Sequence, residues 1–131
     1  MNRSFTNTSS ADSAVGVYAE GLIARYTLSC EGGKKTAYIN ASVYGTETLG
    51  KIGFKNIEIQ RNSDKRNRET ETTVSNKIFE DTTYKLLSKY PVSVSGSYYY
   101  RIVLDNYAKE NTWWFPDEQT VNATSNAVWI P

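Results

Sequence analysis

Lys35-Thr36-Ala37-Tyr38-Ile39-Asn40-Ala41-Ser42-Val43-Tyr44 is the stretch whose reading decides the fold. Ala37, Ile39, Ala41 and Val43 fall on one side of an extended chain, and Tyr38, Asn40, Ser42 and Tyr44 on the other. Alternation sustained from 37 to 44 is the mark of a strand with one buried face. Just upstream, Glu31-Gly32-Gly33-Lys34 reads as a turn, because paired glycines reach positive φ at little steric cost. Leu22 to Ser29 alternates more loosely and is rich in β-branched and aromatic types. The two segments together read as a hairpin.

Working outward, Gly45 to Gly50 reads as a loop and Ile52 to Arg61 as a third strand, with Ile57 and Ile59 facing in. Asn62 to Asn67 is a polar turn. Arg68 to Ser75 alternates charge and Thr with few apolar residues, the pattern of an edge strand guarded by charge. Phe79 to Leu87 fits a strand, while Tyr84 to Tyr90 would also fit two helical turns; Pro91 ends either. Tyr98, Tyr100, Ile102 and Leu104 line one face of a strong strand. Asp105 to Asn111 reads as a polar turn, followed by Trp113-Trp114-Phe115-Pro116, then Asp117 to Asn122, then Ala127 to Ile130. Seven or eight short strands without a long helical period predict an all-β fold, an antiparallel β-sandwich. Residues 1–17 read as a disordered arm and 18–131 as one domain, which suits 131 residues.

Composition excludes whole classes of function. The chain holds 15 basic and 14 acidic residues and has a net charge of +1, against a strong nucleic-acid binder. It has no histidine, which removes His-based triads and imidazole ligands. The single Cys30 leaves no internal disulfide. No stretch reaches the ~18 apolar residues of a membrane helix, and Met1 to Ala14 lacks a signal peptide's apolar segment. The Ser-, Thr-, Asn- and Tyr-rich composition suits a secreted or cell-surface protein whose leader has been removed and whose Met1 was added on expression. A cytoplasmic protein with a loose N-terminal tail is the alternative.

Gly96-Ser97-Tyr98-Tyr99-Tyr100-Arg101-Ile102-Val103-Leu104-Asp105-Asn106 resembles the sixth strand of the fibronectin type III (Ig-like) superfamily in its bacterial extracellular form. Ile57 to Asp64 resembles that family's third strand and turn, and Asp81-Thr82-Thr83-Tyr84 the stretch before the crossover. The whole chain also looks like small secreted Firmicutes proteins of unknown function. The resemblance implies a fibronectin III-like sandwich and makes Tyr98 the tyrosine-corner residue, its hydroxyl bonded to nearby backbone. The family's second strand usually carries a buried Trp, where this chain has Ile39, Ala41 and Val43.

Catalytic constellations are weak. Glu69 and Glu71 share a strand face about 7 Å apart, a spacing glycosidases use, but they fit a solvated edge strand better. Asp117 and Glu118 point to opposite faces. Ser88 and Lys89 are merely adjacent. Cys30 beside Glu31 is a poor nucleophile, because an acidic neighbour raises a thiol pKa. Asp105, Asn106, Glu110 and Asn111 offer hard oxygen ligands but no defined calcium loop. No enzyme activity, metal or cofactor is expected.

The aromatic group at 113–115 is the best binding candidate. Consecutive Trp residues on a strand face opposite ways, so Trp113 and Trp114 cannot both enter the core cleanly. One is then exposed, or packs under the N-terminal arm or a loop. Exposed indoles serve sugar platforms and protein hot spots alike. Tyr99 and Tyr107 could extend the platform, Tyr107 from the following turn. The expectation is a non-catalytic extracellular module for binding or adhesion, with a protein or glycan partner and no membrane insertion. The alternatives are a carbohydrate-binding module built on exposed Trp and Tyr, and a self-assembling surface subunit.

Overall fold

A computed structural model describes the backbone of residues 14–17 and all of residues 21–63 and 68–131. Of the arm expected over 1–17, residues 1–13 lie outside the described residues, as does most of the turn over 62–67, whereas 14–17 form a strand because their backbone pairs with Arg25 to Leu28. Regular structure among the described residues is entirely strand: β1 (Ala14–Val17), β2 (Ile23–Gly33), β3 (Thr36–Asn62), β4 (Glu69–Val74), β5 (Lys77–Ser93), β6 (Tyr98–Lys109), β7 (Glu118–Thr124) and β8 (Val128–Ile130). Every pairing is antiparallel, and all join one curled sheet.

β3 is the spine. Its first half pairs with β2, from Gly33↔Thr36 to Ile23↔Gly45, as the predicted hairpin. Its second half pairs on that flank with β6, from Lys51↔Lys109 to Asn62↔Tyr99. The other flank carries β5 along Thr36 to Phe54 and β4 along Ile57 to Arg61. β7 and β8 both pair with β6. Among the described residues strand β4 pairs with β3 alone, the edge position its charges suggested.

Three segments depart from the reading of the sequence. The expected loop at Gly45 to Gly50 is a register irregularity between Tyr44 and Leu49 inside a continuous strand. Thr46 anchors it, its N–H donating to Leu22 O at 2.9 Å and its hydroxyl to Gly21 O at 3.1 Å. The expected turn from Asp105 is strand as far as Lys109. Asn106 is fully buried there; its amide nitrogen donates to Val121 O at 3.2 Å, while its Oδ1 is buried without a hydrogen-bond partner. Residues 79–90 are strand rather than helix, and Pro91 sits opposite Tyr38 within β5. Proline is tolerated there because an edge strand can spare an N–H.

Alternation in β2, β3 and β6 turns Tyr26, Leu28, Ile39, Val43, Ile57, Ile59, Tyr100, Ile102 and Leu104 inward, all wholly buried. Side-chain amides bring the curl together. Asn126 accepts from Cys30 N–H at 2.9 Å and donates to Cys30 C=O at 3.0 Å, imitating a strand neighbour. Gln119 of β7 accepts from the N–H groups of Leu22 and Ile23 at 2.7 and 2.9 Å. β1 pairs with β2 from Arg25 to Leu28, between these two contacts.

Candidate functional site

The β6–β7 connection, residues 110–117, carries the largest exposed aromatic group in the described chain. Its base is fixed twice: Glu110 N–H donates to Asp117 O at 2.9 Å, and Asp117 N–H donates to the Glu110 carboxylate at 3.0 Å. Gly50 of β3 lies directly beneath, where a Cβ would come within 2.8 Å of Glu110 O. Between these anchors Trp113, Trp114 and Phe115 are 86%, 62% and 82% exposed. Trp113 and Trp114 lie in a bend, not on a strand, so the opposite-face argument does not govern them. Phe115 takes a left-handed backbone (φ 49°), uncommon for a bulky residue, which turns its ring toward Trp114. The rings meet edge to face, Trp113–Trp114 at 5.1 Å and 84° and Trp114–Phe115 at 5.2 Å and 82°. The result is a projecting knob without a flat shared face.

The two tyrosines proposed as extensions do not join it. Tyr107 lies within β6, not in a turn, and is buried. Its hydroxyl donates to the Glu118 carboxylate, and the Lys55 ammonium sits 3.6 Å above its ring. Burial first, and then the Glu118 bond, push its hydroxyl up to about 12. The same bond holds the Glu118 carboxyl below its usual range. Tyr99 is at the far end of β6, about 30 Å along the strand, edge to face with Trp129 at 5.1 Å. The backbone-bonded hydroxyl assigned to Tyr98 belongs to Tyr100, which accepts Gly96 N–H at 2.9 Å and donates to Glu71 at 2.8 Å. The Tyr98 ring instead packs against the Arg61 guanidinium at 4.5 Å.

The acidic pairs are structural in their contacts. Arg61 bridges Glu69 at 3.0 Å and Glu71 at 3.2 Å. Glu71 also accepts Ser95 N–H at 2.8 Å, so one carboxylate ties β4 to the turn before β6. Asp117 holds the loop base through its backbone N–H and C=O, whereas the Glu118 carboxylate is taken by the Tyr107 hydroxyl, so the two do not act as a pair. The residues considered for calcium diverge: Asp105 accepts from Asn56 and Asn122, Asn106 turns inward, and Glu110 closes the loop. Among the described residues no group of three acidic, Cys or His side chains is placed to hold a metal. Burial, with Glu31 adding, pushes the Cys30 thiol up to about 12.

Sequence reasoning missed a second aromatic array. Arg25 lies 3.7 Å over the Tyr44 ring, and Tyr44 stacks on Tyr84 at 5.5 Å and 14°. Tyr44 is outward by alternation, and a strand reading of 79–87 places Tyr84 beside it; only the register was missing. Family models, curated proteins and solved structures provide no match to the chain.

Proposed function

We propose that this chain is a non-catalytic binding module that engages a protein partner through the Trp113-Trp114-Phe115 knob. The exposure of all three rings on a loop closed at its base carries the reading. Large flat side chains supply contact area at little cost in conformational freedom and make interface hot spots. Edge-to-face packing leaves a convex apolar wedge, shaped for a pocket. A sugar platform needs an open ring face flanked by free polar groups, and the Glu110 carboxylate at the loop base is already engaged by Asp117 N–H. Composition supports a place outside the cell. The wrapping of β2 toward β7 and β8 supports a sandwich as the finer architecture, with Tyr100 in the tyrosine-corner role.

Iodide quenching of tryptophan fluorescence tests this, repeated with soluble polysaccharides. Strong quenching that no glycan relieves is expected, since Trp113 and Trp114 are wet. Protection by a glycan overturns the reading in favour of a carbohydrate-binding module. A photoreactive group at Phe115 then identifies the partner. A discrete protein adduct that excess chain displaces, but Trp113→Ala/Trp114→Ala chain does not, is the expected result.

A further inference from the structure

β5 is a long strand with one free side. It spans Lys77–Ser93 and pairs only with β3 among the described residues. Such an edge is a template for another strand. Residues with positive φ, Asp81 (54°) and Lys89 (49°), delimit the regular stretch Thr82 to Ser88. Within that stretch there is no proline, and Tyr84 and Leu86 are each 49% exposed.

Register shows which backbone groups point outward. Asn126 occupies both N–H and C=O of Cys30 on the outer edge of β2, so Cys30 and its alternate neighbours face that edge. In an antiparallel ladder the next residues face the other way. Thr27, opposite Ser42, therefore bonds β3; Ala41 and Val43 then bond toward β5, opposite Leu87 and Lys85. The N–H and C=O groups of Tyr84, Leu86 and Ser88 are left directed away from β3. Thr82 hydroxyl donating to Tyr84 O at 3.3 Å fits that assignment, a carbonyl met by a local side chain instead of by β3.

We propose that β5 pairs with β5 of a second copy of this chain, antiparallel about a two-fold axis at Leu86. Charge selects the partner and its direction. Glu80 and Asp81 stand at one end of the stretch and Lys89 at the other, with Lys85 midway. Antiparallel self-pairing sets the basic end of each strand along the acidic end of its mate, whereas parallel pairing sets like on like. An axis at Lys85 would bring two ammonium groups directly opposite, which is unfavourable. An axis at Leu86 puts Leu86 on Leu86, Tyr84 on Ser88 and Lys85 on Leu87, with Lys89 diagonal to Asp81 and the lysines of the two copies diagonal to one another, not face to face. The Lys85 ammonium is already engaged 4.4 Å over the Phe79 ring of its own strand. The Arg25–Tyr44–Tyr84 array then flanks the new contact on one continuous outer face. A strand-pair contact belongs to the small, reversible class of interface, below about 1,200 Å², so its signature is dependence on concentration.

Sedimentation equilibrium across a concentration series is the test, and it is independent of the aromatic knob. The unmodified chain is expected to show reversible dimers. Leu86→Lys, at a half-exposed site the monomer tolerates, should weaken dimerisation at least roughly tenfold by setting two charges on the axis. Trp113→Ala/Trp114→Ala should leave it unchanged. Leu86→Cys should cross-link as a dimer on mild oxidation, because Cα atoms of a hydrogen-bonded antiparallel pair lie about 5.5 Å apart, within disulfide reach. Buried Cys30 should take no part. A chain that stays monomeric throughout overturns the proposal and leaves the edge to a strand from a different protein. Dimers that survive Leu86→Lys, or that vanish with the tryptophans, overturn it by locating the interface elsewhere.

Discussion

Tyr100 shows how one side chain can organise several backbone segments. Its ring is wholly buried, and its hydroxyl joins Gly96 N–H to the Glu71 carboxylate. Tyr100→Phe keeps the ring, strips Gly96 N–H of its partner and removes one of the bonds that Glu71 accepts, so a loss of about 1–3 kcal/mol is expected, read from the urea midpoint at constant slope. The knob behaves in the opposite way. Trp113→Ala should change stability by no more than about 0.5 kcal/mol, measured by the same melt, because that ring stands in solvent and meets the equally projecting Trp114 edge to face. Two tyrosines at period-two spacing in Tyr98-Tyr99-Tyr100 were legible as one inward face. Which of them reaches the backbone depends on where β4 lays Glu71, and that contact spans 29 positions. Tyr107 was misplaced for a related reason. Its neighbours Asp105, Asn106 and Lys109 look like turn residues until their partners on β3 and β7 are known.

Among the elements, alternation was a sound guide wherever one face is buried, as in β2, β3 and β6. It failed at the joins. Glycines flanking polar residues at 45–50 carry the same signal whether a chain leaves a sheet or shifts register within it. The long β5 was hard to read because neither face is deeply buried, so its pattern is faint. Its contact with β3 also explains Gly53. A Cβ there would lie 1.9 Å from Lys77 O, so Gly53→Ala must push β5 off β3. The expected cost is about 1–3 kcal/mol, with hydrogen exchange quickening first in residues 77–80. At the curl's meeting line, Asn126→Ala removes both bonds to Cys30 and leaves a buried amide unpaired. A cost of about 1–3 kcal/mol in the denaturant melt is expected.

For the molecule as a whole, composition was informative about what is absent and silent about which surface is used. The aromatic loop stood out in the sequence, but its freedom from neighbours did not. The proton-binding groups give a global prediction. Burial raises Cys30 from 9.0, and Tyr100 and Tyr107 from 10.0, each to about 12. All three are neutral when protonated, and the unfolded chain releases these protons first as pH rises. Their contribution to stability is complete below about pH 9 and is lost as pH climbs toward about 12. Urea melts across that range should show the decline, and Tyr107→Phe should make it shallower.

The shared spine also governs how the chain comes into being. The hairpin of β2 and the first half of β3 is complete once Gly45 has been made, and β3 itself once Asn62 has. The second half, with Ile52, Phe54, Ile57 and Ile59, must then wait for Tyr98 to Lys109. At about 5–20 residues per second, that is a delay of some seconds on the ribosome. During it, four large apolar side chains stand on a strand without its inner neighbour. That interval, and not the finished sheet, is where the chain is most open to association with other chains.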